Sequence, residues 1–161
     1  MRIKHIFSVV VSLTLLAGCS SNSAGGTYTS SGGVTVSKDL KSAPVIGFTN
    51  EAGARIGLLS EDVVEGNGAV VVPTSSVTVN YTGIGMTSRK KFDSSWDRGQ
   101  PITFSLEGNL IEGWKKGMVG MKVGGRRLLI IPGEMAYRMG PPAGIGPNET
   151  LVFVVDLTAV K

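Results

Sequence analysis

Histidine and cysteine each occur once in the 161 residues, as His5 and Cys19. Both fall in a segment that reads as a leader ending before Cys19. Processing there removes the histidine, and lipidation occupies the thiol. The mature chain is then left without Ser-His-Asp or Cys-His nucleophiles. It also lacks a zinc site built on His and Cys and an internal disulfide. Neither a metal nor a cofactor is called for. Catalysis has to come from carboxylates, hydroxyls, Lys and Arg, backbone dipoles or binding alone.

The aromatic side chains are the next resource. Seven of them lie between positions 81 and 153: Tyr81, Phe92, Trp96, Phe104, Trp114, Tyr137 and Phe153. Any one of these is ordinary core by itself. Tyr81, Trp114 and Tyr137, however, border turns or a helix end, and aromatics that meet there line concave sites. Asp93 follows Phe92, and Arg98 lies in the same loop. Such a pair braces a loop, and at a surface it is worth about 0–1 kcal/mol. Glu107, Glu112, Glu134 and Glu149 sit on different elements, which argues against a glycosidase-type carboxylate pair. A phosphate-binding G-x-x-x-x-G-K-[ST] loop is missing, and Gly83-Ile84-Gly85 reads as a turn.

The leader begins with Arg2 and Lys4, followed by the apolar run 6–17. That run is shorter than the about 20 residues a membrane-spanning helix needs, and it fits a signal-peptide core. Leu16-Ala17-Gly18-Cys19 resembles a lipobox, with residues 1–18 removed and Cys19 lipidated. Stable anchoring takes two acyl-type signals. The expected location is extracytoplasmic, on the bacterial cell membrane or the periplasmic face of an outer membrane. The formal charge of +4 loses two positive charges when Arg2 and Lys4 leave. The run Arg89-Lys90-Lys91 reads as a solvated hairpin end, and nucleic acid is not indicated as a partner.

These residues need a frame. Glycine, at 23 of 161 residues, is about twice its usual share of roughly 7%, which favours turns over long helices. Residues 19–33, rich in Ser and Gly, read as a flexible tether. Residues 34–63 read as an extension with one or two strands, at Val34–Val36 and Val45–Phe48, and Ala69–Val72 as a further strand. Val77, Val79 and Tyr81 alternate with polar residues, as in a half-buried strand. Gly83–Lys91 reads as a hairpin connection, and Phe92–Pro101 as a loop. Ile102, Phe104 and Leu106 alternate again. Ile111, Trp114 and Met118 fall on one face of a short helix over 110–118. Gly113 and Gly117 each weaken that helix by about 1 kcal/mol. Arg126–Ile131 and Thr150–Leu157 read as strands, and Gly133–Asn148 as a loop. The fold class is α+β, an antiparallel sheet wrapped on one short helix.

The order of the segments over 64–161 is more specific than any of these signs. It runs VTVNYTG (77–83), KFDSS (91–95), RGQPITF (98–104), LIEGW (110–114) and GMVGMKVGGR (117–126). It continues with Ile131-Pro132, Ala136-Tyr137 and NETLVFVVDL (148–157). This resembles the FKBP family of peptidyl-prolyl cis/trans isomerases, in the bacterial lipoprotein form. The resemblance implies a curved antiparallel sheet around one helix and a shallow aromatic pocket for a proline ring.

By the same resemblance Trp114 is the pocket floor. Tyr81, Phe104 and Phe153 are walls, with Leu110 and Ile111 at the edge, and Phe92 and Ile102 also bind substrate. The Ile111 N–H and the Tyr137 hydroxyl bond substrate carbonyls. Asp93 stands beside the twisting amide, positioned by Tyr81 and Arg98, and Ile145 closes the loop side. Ile102, Arg138 and Gly146 depart from the family pattern at the rim. The implied partners are proline-containing polypeptides of exported proteins and macrolides such as tacrolimus and rapamycin, bound by a monomer. The alternative is a tethered FKBP-like binding module whose turnover is incidental.

Overall fold

The computed structural model describes residues 25–138 and 140–161. The leader, Cys19 and the start of the tether lie outside the described residues. The spine is β5 (Ser76–Gly85), in which Val77, Val79 and Tyr81 are buried and Thr78 and Asn80 half-buried. This is the alternation its sequence requires. One edge of β5 pairs along its length with β9 (Leu151–Val160). The other edge takes β7 (Ile102–Ser105) and β6 (Lys91–Ser94). Beyond β9 lie β8 (Arg126–Ile131) and then β4 (Leu59–Val64), every pairing antiparallel. The order is β4-β8-β9-β5-β6, with β7 alongside β5.

β8 and β9 carry apolar residues at consecutive positions because the sheet is covered on both faces. Leu129, Ile131, Phe153 and Val155 face the helix α1 (Glu112–Met118), with Trp114 and Met118. Leu128, Ile130, Val152 and Val154 face the other way, onto Val34 and Val36. The helix lies so close to the sheet that a Cβ on Gly113 would strike Ile131, and one on Gly117 would strike Leu129. The glycines that weaken the isolated helix are therefore what lets it dock. Ser60 Oγ and Arg127 Nη1 donate to the Gly117 carbonyl at 3.0 and 2.9 Å, closing the helix C-terminus.

The N-terminal part differs from the flexible tether expected through residue 33. β1 (Thr27–Thr29), β2 (Val34–Ser37) and β3 (Ile46–Phe48) form an antiparallel sheet of their own. Val34 and Val36 are fully buried. Side-chain bonds fix the segment read as tether. Tyr28 Oη donates to Glu61 at 2.8 Å, and Ser30 Oγ accepts from the Val34 N–H at 2.9 Å. A latch holds this small sheet to the large one. Arg126, 0% exposed, pairs with Asp156 through Nε at 2.5 Å and Nη2 at 2.8 Å. Its remaining donors reach the carbonyls of Ser37 at 2.8 Å and Ser42 at 2.9 Å.

Three local expectations change. Lys91–Ser94 is strand rather than loop, because its polar side chains find partners across the ladder, such as Ser94 Oγ with Thr82 Oγ1 at 3.0 Å. The turn of that hairpin is thus confined to residues 86–90. Ala69–Val72 is no strand. It makes a single bridge, Val70 to Lys122, between Gly68 and Pro73. The last strand runs on past Leu157 to Val160. No helix among the described residues is long and apolar enough to cross a membrane.

Candidate active site

Trp114 projects from α1 toward the sheet and is 4% exposed. Three rings meet it edge-on. Tyr81 of β5 lies 5.4 Å away, Phe153 of β9 5.4 Å and Phe104 of β7 5.5 Å, with interplanar angles of 87°, 87° and 71°. Edge-to-face contacts of this kind fix ring orientation and leave the faces free. Phe92 of β6 stands edge-on to Phe153 at 5.5 Å. Gly83 makes room for that pair, because a Cβ there would run into both rings.

The rings enclose a half-open cavity of about 270 Å³. Leu110, Ile111, Asn109, Asp93 and Tyr137 complete its lining. Four strands and one helix thus deliver five of the six aromatic side chains, while loops deliver Tyr137 and most of the polar edge.

Asp93 is the charged group of the site. Tyr81 Oη donates to its Oδ2, and Arg98 Nη1 to its Oδ1 at 2.5 Å. Arg98 Nη2 also donates to Tyr81 Oη at 3.0 Å. Gly99, at φ 70°, closes the short 3-10 turn Trp96–Arg98 that aims the guanidinium. Burial pulls the Asp93 carboxyl upward. The hydrogen bonds from Tyr81 and Arg98 outweigh it and hold the group below the ordinary aspartate value. Burial, with Asp93 next to it, pushes the Tyr81 phenol up to about 12. At neutral pH the pair is therefore a carboxylate and a neutral phenol. Tyr137 follows the 3-10 turn Gly133–Met135 and is half-buried. Burial raises its pKa as well, with a smaller push from the charge of Asp93.

Ile111 precedes the first turn of α1 in extended backbone, at φ −61° and ψ 145°. Its N–H has no protein partner among the described residues. Among those residues no three His, Cys, Asp or Glu side chains converge on a metal-sized site.

The structure brings together nine of the anticipated residues: Tyr81, Phe92, Asp93, Phe104, Leu110, Ile111, Trp114, Tyr137 and Phe153. Arg98 touches the site only through Asp93 and Tyr81. Ile102 and Ile145 pack on the surrounding core rather than lining the cavity. Cys19 lies outside the described residues. Asn109 was not anticipated. Its one sequence sign is its place after Gly108, where the Leu110 N–H folds back on the Gly108 carbonyl at 3.0 Å.

Comparison with known proteins agrees with this geometry. A family model described as FKBP-type peptidyl-prolyl cis-trans isomerase matches residues 68–158. An FK506-binding protein of Streptomyces anulatus is 47% identical over 106 residues, covering 64% of this chain and 86% of that protein. The FKBP-type isomerase FkpA of Escherichia coli K12 is 41% identical over 117 residues, covering 71% of this chain and 43% of FkpA. The crystal structure of FkpA superposes with a TM-score of 0.60 at 44% identity, over 65% of this chain and 48% of that one. A peptidyl-prolyl isomerase from Pseudomonas syringae pv. tomato superposes with a TM-score of 0.59 at 31% identity, over 67% of this chain and 78% of that one. With this fold, this bowl of rings and these relatives, the chain belongs to the FKBP-type peptidyl-prolyl cis-trans isomerases.

Proposed function

We propose that this isomerase turns Xaa-Pro bonds of exported polypeptides, and that the work is done by the bowl around Trp114 with Asp93 at its edge. The observation that carries this reading is the combination of a half-open aromatic cavity and one braced carboxylate. The barrier to amide rotation, about 18–20 kcal/mol, comes from resonance that keeps the bond planar. Resonance also places charge on the carbonyl oxygen, which water stabilises.

A proline ring seated on Trp114 draws that bond out of water and takes the stabilisation from the planar form. The twisted amide has less charge separation and loses less. Binding it better than the planar amide lowers the barrier. The Ile111 N–H and the Tyr137 hydroxyl would hold the carbonyls on either side. Asp93 would face the rotating amide, kept ionised by Tyr81 and Arg98. No proton needs to move.

The relative from Streptomyces anulatus is called FK506-binding. The same set of rings supports macrolide binding here. Anchoring through lipidated Cys19 would hold the enzyme at the outer surface of a bacterial membrane, where exported chains emerge unfolded.

The test is an isomerisation assay on residues 20–161 with a Leu-Pro-Phe tetrapeptide. Acceleration that rapamycin abolishes places turnover at Trp114. A folded protein without acceleration overturns the reading and leaves a binding module. Radiolabelled palmitate incorporated by the full chain and lost in Cys19→Ala tests the anchor separately.

A further inference from the structure

Behind the pocket's rings runs the segment 140–148, which joins no strand. Ile145 on this segment packs against the aromatic core. A Cβ on its neighbour Gly144 would stand 3.8 Å from Phe92 Cβ, in ordinary contact. A rim without strand pairing needs something to hold it. The residue in place to do so is Glu149. Its Oε2 accepts the Gly146 N–H at 2.9 Å, and its Oε1 accepts the Ser88 N–H at 2.8 Å. One carboxylate thus joins the pocket rim to the 86–90 turn of the β5–β6 hairpin, 61 positions away in sequence.

The join is close. Gly85 has no space for a side chain, since a Cβ there would collide with Ser88 Oγ and the Glu149 carboxylate. Hydrogen bonds to an ionised acceptor are roughly twice as strong as neutral ones. Burial works against the charge, but the backbone N–H groups of Ser88 and Gly146 outweigh it and keep Glu149 below the usual glutamate value.

The far side of the same turn is held by the N-terminal part of the chain. Arg89 sits at φ 56°, a backbone state few side chains adopt. Its guanidinium lies over the Phe48 ring at 3.9 Å, and its Nη2 donates to the Ala52 carbonyl at 3.1 Å. Phe48 and Ala52 both precede the residues that match the family model. Continuous contact therefore runs from Phe48 and Ala52 through Arg89 and Ser88 to Glu149, and from there to the rim.

We propose that Glu149 is a positioning residue of the proline pocket, and that the N-terminal segment sets the tightness of the 144–146 rim through Arg89 and the 86–90 turn. The proposal rests on the Trp114 bowl being the site of turnover. Holding a rim against the substrate acts on ground state and transition state alike. Its loss therefore raises KM and spares kcat.

The test measures kcat and KM of the full chain and its variants on the same tetrapeptide, with thermal melts alongside. Glu149→Ala is expected to raise KM about tenfold with kcat within about twofold. Glu149→Gln, which keeps the shape but sets an amide NH2 against one of the two N–H donors, is expected to recover only part of that loss. Arg89→Ala is expected to raise KM about threefold. The double variant should then be no worse than Glu149→Ala alone, because both changes break one chain of contacts.

A folded Glu149→Ala protein with unchanged KM overturns the proposal, whatever its melting temperature. So does a fall in kcat without a rise in KM, or strict additivity of the two variants. Should Glu149→Ala fail to fold, Arg89→Ala decides, and an unchanged KM there overturns the role of the N-terminal segment. Asp93→Leu is the control for the pocket itself. Activity lost in Asp93→Leu while KM holds in Glu149→Ala sinks this proposal alone. Activity kept in Asp93→Leu sinks the pocket reading on which it rests.

Discussion

The two faces of the main sheet solve opposite problems with the same strands. Toward α1, β8 and β9 send residues into a core rich in rings: Tyr81, Trp114 and Phe153 are buried, and Phe92, Phe104 and Tyr137 lie half-buried around them. That packing stops short of closure and leaves a cavity of about 270 Å³ with Asp93 at its edge. Toward β1–β3 the neighbouring residues enter an aliphatic core of Val34, Val36, Leu128, Ile130, Val152 and Val154. That side is closed, and its buried cation Arg126 finds a partner for each nitrogen. The open face can bind because the closed face supplies burial that the bowl gives up. The family match covers residues 68–158 and so holds the whole bowl, whereas β1–β4 lie outside it.

If the faces divide the labour in this way, single changes should separate stability from turnover. The largest effect is expected from Arg126→Ala. It leaves Asp156 buried, where burial already pushes its pKa up against the pull of Arg126. Removing one partner of a buried pair costs about 3–5 kcal/mol. Urea unfolding should show that loss, while kcat of the remaining folded enzyme stays within about twofold. A kcat that collapses in folded protein would mean that the two faces are not separable.

Asp93→Leu should do the reverse. The Asp93–Arg98 pair is about 40% exposed on either side (41% and 39%). Its contribution to stability is therefore at most about 1 kcal/mol after screening. Turnover should fall about tenfold, equal to about 1.4 kcal/mol in the barrier. Equal losses of stability and activity would assign Asp93 to the frame instead of the chemistry.

The smallest expected effect is that of pH. Asp93 is held below its ordinary value, so it stays ionised down through the usual carboxylate range. Tyr81 is pushed up to about 12, so its proton favours the folded state below pH 10, and that support is lost as pH climbs from 10 to 12. Between pH 5 and 9 neither group titrates, and kcat/KM should be flat. A bell centred near neutrality would demand a proton-transferring group, and the binding mechanism has none.

Much of the open face was legible in the sequence. Tyr81 shows through the alternation of Val77 and Val79, and Trp114 through its spacing from Ile111 and Met118. Segment order then brings distant rings to one place. The closed face was legible in part. Val34–Val36 and Val45–Phe48 read as strands and supply its cover, yet Thr27–Thr29, which joins them, sits in a stretch whose Ser, Gly and Thr content reads as a linker. Short strands of that composition gain order only from what they lie against. Arg126 carries the same lesson, since charge alone places it in solvent. Lys91–Ser94 hid because its strand character lies in ladder bonds and not in apolar pattern. Asn109 hid because a turn residue shows its place, not the direction in which it points.

The centre of the main sheet is its last-made strand. β9 lies between β8 and β5, so neither neighbour has its full set of ladder partners until Leu151–Val160 exist. The latch from Arg126 to Ser37 spans 89 positions, and Asp156, which completes it, comes later still. Loop-closure entropy has to be met before such distant pairings return anything, and folds dominated by them assemble slowly. A growing or emerging chain therefore carries Thr27–Phe48 without the large sheet it packs on. That sheet is complete only when Leu151–Val160 pair with both β8 and β5.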